Sequence, residues 1–363
     1  MKISVARRIF TAYKIIGNNF NIWVSPIITA FILLCLKLIV FITMILDKII
    51  YPKINSHKIS KPIIIVGNPR SGTTFLHRYL IKNKIGSGGE LWKLLYPSIV
   101  LQKLVKPFLP ILEKISPTRH HSTVAHKTSL QSIETDDASI FFRFFDGFFL
   151  YGFIMSWAAE DLFHWFDPKI RDTSKRDYSW LNSIWSRILI DSKNDRYIGK
   201  LFSVSTNVPG FLKSFPDSKI LYMVRDPLSV IPSGLSLVTG VLDKRFGFWS
   251  LPKNKRMHFI NRLYKSLIEL QIRFVEDWNS GLIDRERVML VHFDELMNNF
   301  EGLMTNINHF LNHKPDSKMI QDINETAKKQ KEFKSKHKYD LDKFGLTEKK
   351  IKEDAKIIYD TFF

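Results

Sequence analysis

Cysteine is nearly missing from this chain: Cys35 is the only one in 363 residues. An intramolecular disulfide framework and a cysteine-based zinc site are therefore both excluded, and a reducing compartment is permitted. Acidic residues are also in short supply, 35 against 54 lysines and arginines, so the formal net charge is +19. That excess calls for an anionic partner, whether a nucleotide, a nucleic acid or an acidic membrane surface, without saying which. Internal repeats and low-complexity domains are absent as well, although residues 328–352 are rich in lysine. What is present in quantity is apolar surface. Hydrophobic residues make up 45% of the chain and aromatics 13%, which excludes disorder as the main state and suffices for one large domain or two modest ones.

Only one apolar run is long enough to matter for a membrane. Residues 27–46 are almost continuously hydrophobic and match the length of a bilayer-crossing helix. Lys37 sits near its middle, where a lysine costs roughly 2.5–3.5 kcal/mol on insertion scales. Lys2, Arg7, Arg8 and Lys14 precede the run and Lys48, Lys53, Lys58 and Lys61 follow it, so flanking charge does not set an orientation. The run starts too late and is too long for a cleaved signal peptide. A membrane span and a helix lying in the interface are both consistent with it. The division this suggests is a membrane-associated helical segment and linker over residues 1–60, then a catalytic domain over 61–363.

Beyond residue 60 the pattern changes. Ile63-Ile64-Ile65-Val66 is a short β-branched run ending at Gly67, the signature of a strand buried on both faces. Residues 219–224 and 287–291 form two similar runs. Residues 258–279 and 294–311 carry apolar residues at helical spacing, so strands alternate with helices. The expected fold is α/β: a P-loop-type parallel β-sheet flanked by helices, with an N-terminal hydrophobic helix.

The stretch Gly67-Asn68-Pro69-Arg70-Ser71-Gly72-Thr73-Thr74 follows the first strand and precedes a helix over 75–81. Backbone amides in such a loop and the positive end of the next helix make a cradle for an anion. The glycines have the spacing of a nucleotide-triphosphate P-loop, but Thr73 stands where that motif has lysine. Without it, kinase or NTPase chemistry loses the cation that handles the β- and γ-phosphates. Arg70 supplies a cation inside the loop instead. The plainer reading is a glycine turn bearing a surface arginine.

A second cue is Val224-Arg225-Asp226-Pro227, with Ser233 eight residues past the arginine. Arg225 falls at the C-terminal end of a strand, where open α/β sheets bind ligands. A helix starting at Pro227 would let Arg225 and Ser233 grip a second phosphate. A degenerate Walker B with Asp226 on magnesium, or a salt-bridged arginine at a helix start, would look the same.

Together these two motifs resemble the PAPS-dependent sulfotransferases, in a bacterial-type, Golgi-related carbohydrate branch. The resemblance runs from about residue 61 to the C-terminus. It implies that Pro69, Arg70, Ser71, Gly72, Thr73 and Thr74 bind the 5′-phosphosulfate of PAPS and that Arg225 and Ser233 bind its 3′-phosphate, with PAPS as co-substrate and no metal required. Residues 291–296 resemble the strand-to-helix turn that follows the 3′-phosphate region. His337-Lys338-Tyr339 with Phe344-Gly345-Leu346-Thr347 resembles the closing segment. Two features depart from the pattern. Lys200 is followed by Leu201-Phe202-Ser203 where the branch often has Lys-Ser-Pro, which leaves Lys200 as a contact for the transferring group. The glycine-rich nucleotide loop of the soluble cytosolic enzymes has no counterpart.

Sulfuryl transfer needs fixed cations at the leaving phosphate, which Arg70 offers, and a general base for the acceptor. Glu134 leads that list, because it resembles the acidic motif of the branch and precedes the aromatic run Phe141 to Tyr151; His126 is second. The plainer reading of Glu134, Asp136 and Asp137 is that they cap the following helix. The aromatic run reads as core packing, an apolar acceptor pocket or a bilayer contact. A hydroxyl or amine of a lipid, glycan or small molecule is the implied acceptor, on a membrane-associated enzyme with its catalytic domain in the cytoplasm, or lumenal as in the Golgi enzymes. A P-loop nucleotide or small-molecule kinase and a non-catalytic nucleotide-binding membrane adaptor are the rival functions. Nucleic acid is a poor partner, since the positive charge is spread and no base-reading module is visible.

Overall fold

The computed structural model describes residues 3–116, 128–332 and 340–363. They form two compact units, neither contiguous in sequence: Met1–Ser60 with Ser87–Tyr197 and Leu237–Ser266, and Lys61–Gly86 with Ile198–Ser236 and Leu267–Phe363.

The second unit is built on strands β1 (Ile63–Val66), β2 (Ile198–Lys200), β3 (Lys219–Val224) and β4 (Val288–His292). All pairings are parallel and the order is β2-β1-β3-β4. β2 escapes detection in the sequence because it is three residues long and two of them are glycine and lysine. Every β1 residue is buried, which explains its unbroken β-branched sequence: helices cover both faces. On one face Ile63, Ile65, Leu221 and Met223 join a core with Leu76 and Leu80 from the helix Thr73–Lys82 and with Leu303 and Ile307 from Phe300–Phe310. Tyr222 points the other way and stacks on Phe274, ring centroids 3.3 Å apart.

The single helix expected over 294–311 is two, Phe293–Asn298 and Phe300–Phe310. Asn299 breaks it with φ −137° and ψ 51°, in keeping with the poor helix propensity of asparagine. The strand order has a consequence for the site. From β1 the chain moves outward to β2, then returns past β1 to β3, so β1 and β3 flank the point where the order reverses. Loops leaving two such strands open a crevice at their C-terminal ends. Gly67 follows β1 and Arg225 follows β3.

The first unit is helical, and two buried carboxylates organise its polar interior. Asp146 accepts from Arg171 at 3.0 and 2.6 Å and from Arg176 at 2.8 Å, with the Arg8 guanidinium 3.4 Å away. Arg8 also donates to the carbonyls of Ile3, Phe144 and Phe145, which seats the helix Val5–Phe20. Asp47 accepts from Arg187 at 2.8 Å, from the Ser98 hydroxyl at 2.9 Å and from the amides of Ile99 and Val100. It thereby caps the helix Ile99–Val105 from a position near the end of the apolar helix Val24–Ile50. That helix is long and apolar enough to cross a membrane. The aromatic run packs partly on itself, Phe141 against Phe142, Phe145 and Phe149, and partly on its surroundings, Phe144 against Trp180 and Tyr151 against Phe163 and Phe166.

Burial alone would raise the Asp146 pKa, but the Arg171 hydrogen bond and the charges of Arg8, Arg171 and Arg176 outweigh it and hold the carboxyl below its ordinary value. A carboxyl depressed on folding stabilises the protein above its unfolded-state pKa, and that contribution is lost as pH falls through the folded-state value. Stability therefore declines on acidification below about pH 4. Asp146→Asn is expected to flatten that decline and to unfold more easily at neutral pH, as urea titrations of both proteins across this range will measure.

Candidate active site

The loop after β1 is fixed by its own backbone before any ligand enters. Gly67 has φ +142°, and a Cβ there would lie 2.9 Å from the Met223 carbonyl, so only glycine fits. The Asn68 side-chain amide donates to the Leu267 carbonyl at 2.8 Å, and the Asn68 carbonyl accepts from both the amide and the hydroxyl of Ser71. Gly72, at φ +92°, turns the chain into the helix Thr73–Lys82, whose first-turn amides have no intrahelical acceptors. Pro69 lies in the turn itself, and Ser71 and Thr73 are buried beside it.

Arg70 holds the loop to the second motif. Its backbone lies in the left-handed region, φ +79°, a conformation that persists only where surroundings enforce it. Two contacts do so. Arg225 Nη1 donates to the Arg70 carbonyl at 2.5 Å, and Arg70 Nε donates to Ser233 Oγ at 3.0 Å. Arg225 Cζ sits over the Phe293 ring, 3.8 Å from its centroid, in the turn after β4. Asp226 accepts from the Leu228 amide at 2.9 Å and from the Tyr359 hydroxyl at 2.5 Å. Its carboxylate is thus employed as the cap of the helix Pro227–Phe246, and burial together with this bond pushes the Tyr359 phenol up.

Lys200, the last residue of β2, is buried and donates to Thr74 Oγ1 at 3.0 Å. His77, on the same helix as Thr74, holds its Nε2 2.9 Å from the Ile198 carbonyl, so that nitrogen carries the proton. Burial, and then the Lys200 charge, push its pKa down to about 3, and it is a neutral strut between helix and β2. Arg70, Thr74, Lys200, Arg225 and Ser233 therefore belong to one unit and line the ends of neighbouring strands β2, β1 and β3. Two guanidinium groups, an ammonium and a run of loop amides suit a ligand with more than one anionic group.

The acidic cluster belongs to the helical unit. Asp136 accepts from Trp185 Nε1 at 2.9 Å and from the Tyr197 hydroxyl at 2.6 Å, and Asp137 accepts from Thr135 Oγ1 at 2.7 Å. These two are structural, at the start of the helix Asp137–Phe144. Glu134 is buried and its amide donates to the Gly89 carbonyl at 3.2 Å. His126 lies outside the described residues, as do residues 337–339 of the closing segment. Asn68, Phe293 and Tyr359 are the contributors that motif spacing did not single out. Asn68 sits inside the loop motif and Phe293 inside the strand-to-helix turn, so both were within the resembling segments. Tyr359 is 133 positions from Asp226 and gives no local signal.

A family model described as the sulfotransferase family matches residues 62–316, most of the chain and all of the sites above except Tyr359. The chain belongs to the sulfotransferase family. Among solved structures, sulfotransferase STF1 from Mycobacterium tuberculosis is similar with a TM-score of 0.69 at 16% identity, over 97% of this chain and 90% of that one. Sulfotransferase STF9 from Mycobacterium avium gives 0.68 at 17% identity, over 88% and 81%. At such identities the likeness carries the fold. Curated proteins include no match to the sequence. Family membership makes this chain an enzyme of sulfuryl transfer rather than a kinase.

Replacing Gly67 tests how strictly the loop is built. Gly67→Ala puts a methyl group against the Met223 carbonyl in a disfavoured backbone conformation, and a loss of about 1–3 kcal/mol is expected in thermal or urea denaturation.

Proposed function

We propose that this sulfotransferase takes its sulfuryl group from PAPS and delivers it to a hydroxyl or amine of a lipid, glycan or hydrophobic small molecule at a membrane. The observation that carries the donor assignment is the double tether at Arg70, whose carbonyl receives Arg225 and whose side chain reaches Ser233. Two cationic motifs held this close suit opposite ends of one doubly anionic nucleotide. On this reading the amides and side chains of residues 69–74 take the 5′-phosphosulfate, and Arg225 and Ser233 take the 3′-phosphate.

In the transfer, the acceptor oxygen forms a bond to sulfur while the bond from sulfur to the 5′-phosphate oxygen breaks in line with it. The electron pair of that bond goes to the departing phosphate, where Arg70 and the first-turn amides of Thr73–Lys82 stabilise the charge. Lys200, poised on Thr74, steadies the sulfuryl oxygens as they pass. The acceptor proton goes to Glu134, our first choice of base, with His126 as the second. The Asp226 carboxylate caps a helix and accepts from Tyr359, which supports a positioning role for it over a magnesium ligand. The apolar helix Val24–Ile50 supports membrane association of residues 1–60; a catalytic part over 61–363 on the cytoplasmic side is our choice of orientation over a lumenal one.

Arg225→Ala is expected to weaken adenosine 3′,5′-bisphosphate binding by about 1.5–3 kcal/mol, roughly tenfold to a hundredfold. Calorimetry on a folded variant checks this, and an unchanged affinity would remove Arg225 from the donor site. Glu134→Gln is expected to bind the bisphosphate normally yet transfer label from sulfur-labelled PAPS to host lipid and glycan fractions about 10²–10⁴-fold more slowly. Near-normal single-turnover transfer would move the base elsewhere.

A further inference from the structure

From Leu33 onward the apolar helix Val24–Ile50 lies against the protein instead of standing away from it as a simple anchor would. Leu33, Leu36, Val40, Thr43 and Asp47 fall on one helical stripe and are half-buried or buried, with Asp47 ending in the buried pair with Arg187. The opposite side exposes large apolar side chains: Phe31, Leu38, Phe41, Ile45 and Ile49 are each 46–71% accessible. Both ends of the helix are tied to the same compact unit. The preceding helix Val5–Phe20 is seated by Arg8 on Asp146 and by Phe20 on Trp157 and Phe246, and the C-terminal end is held by Asp47. A bilayer-crossing helix has its two ends in opposite water phases, about 30 Å apart. One folded unit cannot occupy both.

A second apolar surface adjoins the first. The segment Ile99–Ile115 exposes Leu104, Phe108, Ile111 and Ile115, each at least 58% accessible. It is joined to the apolar helix by the Asp47 cap at its start and by Lys103, whose ammonium lies 5.2 Å from the ring centroid of Tyr51, the residue that closes that helix. Lys103, Lys106 and Lys114 are interspersed among its apolar residues, and Lys48 and Lys53, both exposed, flank Tyr51. Its one acidic residue, Glu113, accepts from the Leu130 amide. Lysines with long apolar stems beside an apolar face are suited to reach phosphate headgroups while the face enters the acyl layer.

We infer that the exposed side of Val24–Ile50 and the segment Ile99–Ile115 form one monotopic docking face, which enters a single leaflet of an anionic bilayer without crossing it. This rests on the membrane association proposed above and is independent of the donor assignment. The chain supplies its own probe. Cys35 is the sole cysteine and is exposed midway along the apolar helix.

The test uses the full chain, spin-labelled at Cys35, on phosphatidylcholine vesicles with and without phosphatidylglycerol. Collisional relaxation by oxygen and by a water-soluble nickel complex should place the label about 5–10 Å below the headgroups. A label on Phe108→Cys in a Cys35→Ser background should leave water for the same layer. Leu104→Ser combined with Phe108→Ser and Ile111→Ser should lower vesicle flotation about tenfold or more while bisphosphate binding stays unchanged. Omitting phosphatidylglycerol should weaken flotation of the parent protein. A Cys35 label at the bilayer centre, about 15 Å deep, overturns the inference in favour of a span. So does a Phe108 label as nickel-accessible on vesicles as in solution, or full flotation of the triple variant. Labels shielded without vesicles in a stable dimer would assign the face to a second copy. Failure of the parent protein to float would sink membrane association itself and leave the sulfotransferase chemistry standing.

Discussion

An arginine in a left-handed backbone conformation is an unfavourable element, and the catalytic unit is arranged around one. The Arg70 carbonyl is turned toward β3, where Arg225 donates to it, and the side chain crosses to Ser233. These contacts act together with the Asn68–Ser71 turn that encloses Arg70. The contacts are possible because β1 and β3 are neighbours in register, with Val66 opposite Tyr222, so the loops after them leave the sheet side by side. Parallel pairing thus does more than build a core: it brings two motifs 155 positions apart into direct hydrogen-bond contact.

The helical unit solves a different problem with similar means. It carries ionised groups deep in an apolar interior, which is tolerable only when each is matched and hydrogen-bonded. Asp146 meets three arginines and Asp47 meets one arginine and three further donors. Breaking such a pair from one side commonly costs 3–5 kcal/mol, whereas its net worth over apolar packing is small. These carboxylates therefore decide where the N-terminal helices sit more than how strongly the unit is held. That is the property a docking face requires, since its orientation must survive contact with lipid.

Much of this was legible in the residues themselves. The β-branched run before Gly67, the glycine spacing and the serine eight places after Arg225 are local features, and each sits where the sequence placed it. What the sequence concealed was non-local or too short. β2 carries no apolar periodicity in three residues, and Asn299 breaks a helix whose apolar spacing continues through it. Glu134, Asp136 and Asp137 look equivalent in sequence, yet Trp185 and Tyr197 claim one of them and Thr135 another. Composition marked residues 27–46 as one long apolar run, and they lie within the single helix Val24–Ile50. The stripe from Leu33 to Asp47, with its polar terminus, acquires meaning only beside Arg187 and Ser98.

The bond from Tyr359 to Asp226 ties the helix Lys356–Phe362 to the residue next to Arg225. On the proposed assignment of Arg225 to the 3′-phosphate, a displacement of this helix would reach the donor site through Asp226. The helix Lys356–Phe362 is thereby part of what fixes the start of the helix Pro227–Phe246 and, with it, the residue next to Arg225.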